Sequence, residues 1–301
     1  MKLICQDKHS VNMVIVTYSP NLLILEKCIH SLVNQLNKIT IVDNTPNGNN
    51  SLERFKNFPN VEIIYLGDNY GIAFAQNVGI KKALEEGTDF ILLSDQDTIY
   101  PLDYVEKMLE CFKEDKVAAA GPLFIDAHTG KVQFFVKKGL IGFKKIYPKA
   151  GKHEVLQLIA SGTIINAKFI PEIGLMKEEL FIDWVDMEWC WRAVKKGYKI
   201  IGNADVVVVH RLGDKIRKLG RRFFYIKSSI RYYYITRNCV YLSLRCSSLD
   251  TIFRVGLFLR SFRYILGFSI FMEPRFENLK YTLKGFYHGL IGKLGKLDEE
   301  H

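Results

Sequence analysis

Residues 90–97 read FILLSDQD: four apolar side chains, a serine, then two carboxylates at i and i+2. An apolar run that stops abruptly at polar residues is the pattern of a strand covered on both faces, with its carboxyl end at an open edge. The pattern recurs upstream. Residues 13–17 (MVIVT) end at Tyr18-Ser19-Pro20, residues 39–42 (ITIV) at Asp43-Asn44-Thr45-Pro46, and residues 61–66 (VEIIYL) at Gly67-Asp68-Asn69-Tyr70-Gly71. Residues 22–36, 72–84 and 101–112 carry apolar side chains at helical spacing, and residues 117–125 read as a further strand. Strands alternating with helices of about 10–15 residues predict an α/β class, a mostly parallel sheet flanked by helices. Ligands bind such open sheets at the carboxyl ends of the strands, where the acids fall here.

Further along, residues 133–149 are basic with glycines and predict a hairpin or a mobile loop. Residues 155–165 (VLQLIASGTII) predict a strand with a tight turn at Ser161-Gly162. Residues 183–196 predict a helix, and residues 206–209 a buried strand closing at His210-Arg211. Beyond that the chain is basic, aromatic and helical in character.

At 301 residues the chain suits one large α/β domain with an appendage, or two small domains. Its 48% hydrophobic and 25% charged residues exclude disorder and collagen-like repeats. Six scattered cysteines without a CxxC pair predict a reducing compartment, no disulfide framework and no zinc site. No secretory leader or spanning segment is legible, so a cytoplasmic location is expected. The net charge of +10 is uneven: residues 211–296 hold 18 Lys/Arg against 4 Asp/Glu, leaving the remainder slightly acidic. A basic segment of this kind suits a polyanion, either nucleic acid or an anionic membrane surface.

Asp95 and Asp97 are hard oxygen donors suited to Mg2+ or Mn2+ on a diphosphate, or they are turn formers. Asp43 and Asp68-Asn69 are individually common turn residues, but with Asp95 and Asp97 they line one sheet edge, where a carboxylate such as Asp43 can accept a nucleobase N–H. In residues 183–192 (DWVDMEWCWR), Asp183 and Asp186 share a helix face, either as cap and first-turn acid or as a free base. Glu188 points about 200° away from Asp186 and is set for a salt bridge with Arg192, while Trp184, Met187 and Trp191 form an apolar stripe. His210, closing a valine-rich strand, is a structural histidine or a metal ligand. Gly71, Ala75, Asn77 and Gly79 let a helix approach a strand or a ligand closely. The absence of GxGxxG, GxxxxGK[ST] and GxSxG argues against dinucleotide, P-loop and serine-hydrolase chemistry.

Taken in order, VIVTYSPN (14–21), IVDNT (41–45), GIAFAQNVGI (71–80), LLSDQDT (92–98), ASGTIIN (160–166), DWVDMEWCWRA (183–193), VVVVHRLG (206–213) and RYYYITRN (231–238) resemble family 2 inverting glycosyltransferases, and among them bacterial rhamnosyltransferases. The resemblance implies a GT-A fold, Rossmann-like, with a catalytic domain over 1–212 and a basic helical region over 213–301. Within the catalytic domain it implies a nucleotide-sugar half at 11–125 and an acceptor half at 126–212. It further implies that Tyr18, Pro20, Asp43, Asn69, Gly71, Asn77 and Asp95 bind the donor. Asp97 and His210 hold Mn2+ or Mg2+, Ser161, Gly162 and Asp183 lie at the acceptor, and Asp186 is the general base. The family's paired acids are reduced here to Val185-Asp186, so Asp183 is the alternative base.

The activity implied is transfer of L-rhamnose from dTDP-L-rhamnose to a lipid-diphosphate-linked saccharide in cell-surface polysaccharide synthesis. UDP-hexose or UDP-GlcNAc is the alternative donor, and a non-catalytic nucleotide-sugar or polyanion-binding protein the alternative class. A nucleic-acid partner leaves the carboxylate edge unexplained. Residues 251–272 are apolar but broken by Arg254, Arg260 and Arg263, a pattern for lying in the inner membrane interface rather than crossing it. A packed helical cap or a homodimer contact is the other reading.

Overall fold

The first strand, β1 (Val11–Thr17), is buried along nearly its whole length. Its period of two sends Met13 and Ile15 into one apolar layer and Val14 into another. A sheet with apolar residues on both faces needs helices on both, and the chain supplies them. In the computed structural model, which describes residues 9–127, 129–139, 142–210, 215–219 and 222–298, side chains are described except at 210, 215–219 and 222–225. The further strands are β2 (Lys38–Asp43), β3 (Val61–Tyr65), β4 (Phe90–Asp95), β5 (Val117–Asp126), β6 (Phe135–Lys138), β7 (Phe143–Ile146), β8 (Lys152–Glu154), β9 (Ile164–Asn166), β10 (Lys199–His210), β11 (Lys215–Leu219) and β12 (Arg222–Ile226). The α-helices are α1 (Leu22–Leu32), α2 (Ile72–Glu85), α3 (Tyr104–Leu109), α4 (Ile170–Ile173), α5 (Val185–Lys195), α6 (Ser229–Arg245), α7 (Thr251–Phe271) and α8 (Arg275–Ile291).

Eight strands form one sheet in the order β3-β2-β1-β4-β9-β5-β10-β8. β3, β2, β1 and β4 are parallel, as the alternating pattern predicts. β9 runs antiparallel between β4 and β5, β5 and β10 are parallel, and β8 closes the edge antiparallel. α1 starts where the Asn21 side chain accepts the Leu23 and Ile24 amides, and it packs Leu25, Cys28 and Ile29 under β1. α2 covers the other face with Ala73, Ala75 and Ile80. At Gly79 an added Cβ would come within 2.3 Å of Val14 Cγ1, so α2 lies directly on β1.

Residues 133–149 contain the β6–β7 hairpin, one of the two forms expected there. Two other expectations change. Residues 155–163 are not a strand. Their backbone groups bond to scattered partners, Val155 to Ile200, Leu156 to Val136 and Gly162 to Leu93, so no ladder forms before β9. The segment after β10 opens with the β11–β12 hairpin, consistent with the aromatic run RFFYI, and only then turns helical. α6 and α7 join the core of the sheet domain through Cys239, Leu242, Phe253 and Leu257. No helix of the described residues is long and apolar enough to cross a membrane.

Replacing Gly79 by Val should lower stability by about 1–3 kcal/mol, because α2 must lift off β1 to admit the branched side chain. The measurement is the urea midpoint at unchanged slope. A midpoint equal to that of the parent chain would remove this contact from the account.

Candidate active site

Parallel pairing sets Thr17 beside Asp43 and Val16 beside Asp95, so the carboxyl ends of β2, β1 and β4 form one row. At the strand spacing of a sheet, Asp43 and Asp95 lie about 10 Å apart across it. Asp43 is fully buried. Its Oδ1 accepts the Thr17 hydroxyl at 2.9 Å and the Thr45 hydroxyl at 2.7 Å, and Thr45 Oγ1 in turn accepts the Ser19 amide at 2.9 Å. Asp43 Oδ2 is buried with no hydrogen-bond partner among the described residues. A buried carboxylate oxygen left without a donor is costly, and an incoming N–H would satisfy it.

Tyr18 follows Thr17, whose hydroxyl donates to this carboxylate. Tyr18 is 51% exposed, and Gln96 holds its backbone by accepting the Tyr18 amide at 2.9 Å and donating to its carbonyl at 3.4 Å. Pro20 follows, half-buried, in the same turn. On the other side Asn44 donates to Asn69 Oδ1 at 3.0 Å and accepts the Tyr70 amide at 2.8 Å. Asn69 Oδ1 also accepts the Gly71 amide at 3.0 Å. Gly71 has φ +87°, and a Cβ there would meet the Phe181 carbonyl oxygen at 2.6 Å, so only glycine fits between the two loops.

The next carboxylate arrives from far downstream. Asp186 sits in the first turn of α5, where its Oδ2 accepts the Ala160 amide and its Oδ1 the Met187 amide, each at 2.9 Å. The following residue, Ser161, accepts the Asp95 amide at 3.4 Å and lies 2.5 Å from the Thr98 hydroxyl. Residues 160–161 therefore tie Asp186 to the Asp95–Asp97 loop. Burial pushes the Asp186 carboxyl up to about 6, and the charges of Asp95 and Asp183 add to the rise against the two amide bonds. A carboxylate in that range is ionised at neutral pH and still basic enough to accept a proton.

The approach to α5 is strained. Phe181, Asp183 and Trp184 all have φ between 62° and 69°, a left-handed region costly for residues with side chains. α6 holds this turn from behind. Asn238 donates to the carbonyls of Leu180, Ile182 and Asp183 at 2.9–3.0 Å, and the fully buried Arg237 donates to Leu180 at 2.9 Å. Asp183 is thus outside the helix, not on a shared face with Asp186. It pairs with Arg231 at 3.1 Å and Lys227 at 3.5 Å. Burial pushes its carboxyl up, but the two cations outweigh that and hold it below the usual range. An acid held so firmly is a poor proton acceptor.

The remaining expected residues fall as follows. Asn77 is buried and clamps a distant loop, donating to the Met176 carbonyl and Glu178 Oε1 and accepting the Met176 amide. Both of its N–H donors are taken by these partners. Ser161 and Gly162 are buried beneath the site, with the Gly162 carbonyl accepting the Tyr104 hydroxyl. Asp68 pairs with Lys296 at 3.0 Å. Glu188 and Arg192 form the expected i,i+4 pair at 2.9 Å. The side chain of His210 lies outside the described residues. Its backbone ends β10, where Val209 bridges Ile99 just after the Asp95–Asp97 loop. The described residues contain no cluster of three His, Cys, Asp or Glu positioned to hold a metal. Thr45, Asn44, Gln96 and the Arg237-Asn238 clamp were not singled out by the sequence analysis. Asn44 and Thr45 stood inside the IVDNT motif, and Arg237-Asn238 inside RYYYITRN.

Residues 13–174 match the family described as glycosyl transferase family 2. The chain belongs to that family. Over 235 residues it is 37% identical to the dTDP-rhamnosyl transferase RfbF of Shigella flexneri, covering 76% of this chain and 78% of that protein. It is therefore a rhamnosyltransferase-like glycosyltransferase. The structure of GalNAc-T7 with UDP, GalNAc and Mn2+ superposes with TM-score 0.59 at 14% identity over 95% of this chain, which spans 56% of the GalNAc-T7 chain. S. aureus TarS 1-349 with UDP-GlcNAc superposes with TM-score 0.58 at 15% identity, over 93% of this chain and 81% of that one. These likenesses establish the GT-A fold.

Replacing Asn238 by Ala should strand the Ile182 and Asp183 carbonyls, at about 1–3 kcal/mol for each buried group. Urea unfolding measures the loss. Donor hydrolysis should fall as well, since the turn that delivers Asp186 loosens. Unchanged stability and hydrolysis together would show that α6 does not hold the turn.

Proposed function

We propose that this enzyme moves L-rhamnose from dTDP-L-rhamnose to a saccharide hydroxyl in one inverting displacement, with Asp186 as general base. The observation that carries the reading is the tether from Asp186 through residues 160–161 to the Asp95–Asp97 loop. It joins a carboxylate of raised pKa to the edge where Asp43 awaits an N–H. Asp186 takes the acceptor hydroxyl proton as that oxygen bonds to the anomeric carbon. The bond from that carbon to the nucleotide diphosphate breaks on the opposite side, so a β-L donor gives an α-L-rhamnoside. Thymine N3–H donates to Asp43 Oδ2, Tyr18 lies against the base, and Pro20, Asn69 and Gly71 shape the surrounding turns.

The Asp95 and Asp97 carboxylates fit a divalent cation that completes its shell with donor phosphates and water, which needs only one or two protein acids. Asp97, with His210 as the family resemblance implies, would hold Mn2+ or Mg2+ there, and the cation would neutralise charge on the departing diphosphate. Uracil offers the same N3–H as thymine, so Asp43 does not choose between dTDP and UDP donors. Preference for dTDP-L-rhamnose is supported by the 37% identity to a dTDP-rhamnosyl transferase.

The reading assigns residues 1–212 to catalysis and 213–301 to acceptor delivery at a membrane surface. α7 exposes Val255, Leu259, Phe262 and Leu266 at helical spacing, and α8 exposes Leu283 and Tyr287. Apolar stripes beside the arginines of α7 suit an anionic lipid interface, where a lipid-linked acceptor would be met.

Asp186→Asn should retain dTDP-induced thermal stabilisation while transfer falls by about 10^2–10^4-fold. Transfer at the parent rate would exclude Asp186 as the base. In thermal unfolding with Mn2+, dTDP-L-rhamnose should raise the midpoint more than UDP-hexoses or UDP-GlcNAc. A larger shift with a UDP-sugar would reassign the donor.

A further inference from the structure

Beyond α8 the chain turns back on itself. Gly292 and Gly295, with φ of +78° and +85°, direct it towards the strained approach to α5. The Gly295 amide donates to the Glu179 carbonyl at 2.9 Å, and the Gly295 carbonyl accepts Arg237 Nη1 at 2.5 Å. The Leu297 amide donates to the Tyr234 hydroxyl at 2.8 Å. The Leu297 side chain is buried in a small apolar cluster with Phe181, Tyr233 and Tyr234, where the Phe181 and Tyr234 rings stack at 4.8 Å. Residues 295 and 297 are thus fixed by backbone bonds and by burial.

That placement brings the segment to the donor side of the site at two points. Lys296, between the two fixed residues, reaches Asp68, with Nζ 3.0 Å from Oδ2 and 3.2 Å from Oδ1. Asp68 Oδ1 also accepts the Asn69 amide at 2.6 Å, and Asn69 Oδ1 in turn accepts the Asn44 side chain and the Gly71 amide. Leu297 shares its cluster with Phe181, whose ring and carbonyl oxygen would each meet a Cβ at Gly71 at 2.6 Å. Consecutive residues therefore bear on both ends of the loop 68–71, one by charge and the other by packing. An exposed ion pair contributes little by itself. Here the backbone that carries the lysine is already fixed on both sides, so less freedom is lost when the pair forms.

We propose that residues 293–298 form a strap that sets the donor loop, with Lys296 and Leu297 as positioning residues for the nucleotide. Lys296 holds Asp68, Asp68 orients Asn69, and Asn69 ties the loop to Asn44, next to Asp43. Leu297 backs Phe181 against Gly71. The nucleotide then meets a loop already in place, and its binding does not bear the cost of ordering it. The inference rests on reading the Asp43 edge as the nucleotide site, and it gives the C-terminal segment a part in donor binding.

The test uses full-length variants and two readouts: hydrogen exchange of residues 67–71 without nucleotide, and dTDP affinity by calorimetry with Mn2+. Lys296→Glu, at an exposed position, should speed exchange in this loop and weaken dTDP by about threefold to fivefold, the upper range for an exposed pair. Lys296→Arg should keep parent values. Added to Asp68→Asn, Lys296→Glu should have no further effect, the non-additivity of a direct pair. Leu297→Ala should weaken dTDP by about tenfold while β1 and β2 exchange at parent rates. Donor hydrolysis should show a higher KM at a kcat changed by less than about twofold. Parent-like exchange and affinity in Lys296→Glu and Leu297→Ala overturn the proposal, as do additive losses in the Asp68→Asn, Lys296→Glu double variant. Exchange that rises equally in β1, β2 and the loop of Leu297→Ala, with Lys296→Glu silent, would make the segment a general stabiliser and also overturn it. A parent chain that does not bind dTDP would sink the donor reading, while faster loop exchange in the variants would still uphold the strap.

Discussion

The catalytic arrangement depends on a turn that α6 holds from behind. Phe181, Asp183 and Trp184 occupy left-handed backbone conformations that their side chains disfavour, and together they cost a few kcal/mol. Asn238 and Arg237, both fully buried, satisfy the carbonyls this path exposes. A buried guanidinium bonded to backbone rather than to a carboxylate is unusual, and its cost is tolerable only because carbonyl oxygens surround it. The result is that α5 begins at Val185 and carries Asp186 to the Ala160 amide. The C-terminal helices are in this sense part of the active site, although they contribute no acid to it.

Charge is divided along the chain in a way that matches the proposed chemistry. The early strands place carboxylates at one sheet edge, suited to a nucleobase N–H and to a cation on the diphosphate. The C-terminal third supplies cations: Arg231 and Lys227 neutralise Asp183, while Lys296 pairs with Asp68. Pinning Asp183 separates the roles of two neighbouring acids. One is held ionised as an anchor, and the other is raised towards the pH at which proton transfer is efficient.

The parallel half of the fold was legible because each strand there is a short apolar run with a polar terminus, and side chains alternate between two apolar layers. The row of Asp43 and Asp95 followed from that alone. Residues 155–163 were misread because their apolar letters pack against the core while their amides serve scattered carbonyls, which no period reveals. Asp183 was placed on the α5 helix because i,i+3 spacing cannot show that the backbone before Val185 is left-handed. Asn77 drew attention for its position in a small-residue helix, yet its partners at Met176 and Glu178 are about 100 residues away in sequence. Gln96 and Arg237-Asn238 act through contacts of the same long-range kind, so their identities alone carried no signal.

The central claim is that burial beside Asp95 tunes one carboxylate, Asp186, to accept the acceptor's proton. Because its pKa is raised to about 6, the active ionised form is lost as pH falls through that value, well above where an ordinary aspartate titrates. The pH dependence of kcat/KM for transfer measures this directly. The account predicts an acid limb with its midpoint near 6. A rate that stays flat down to about pH 5 and falls only near 4, the range of an unperturbed carboxyl, would contradict it.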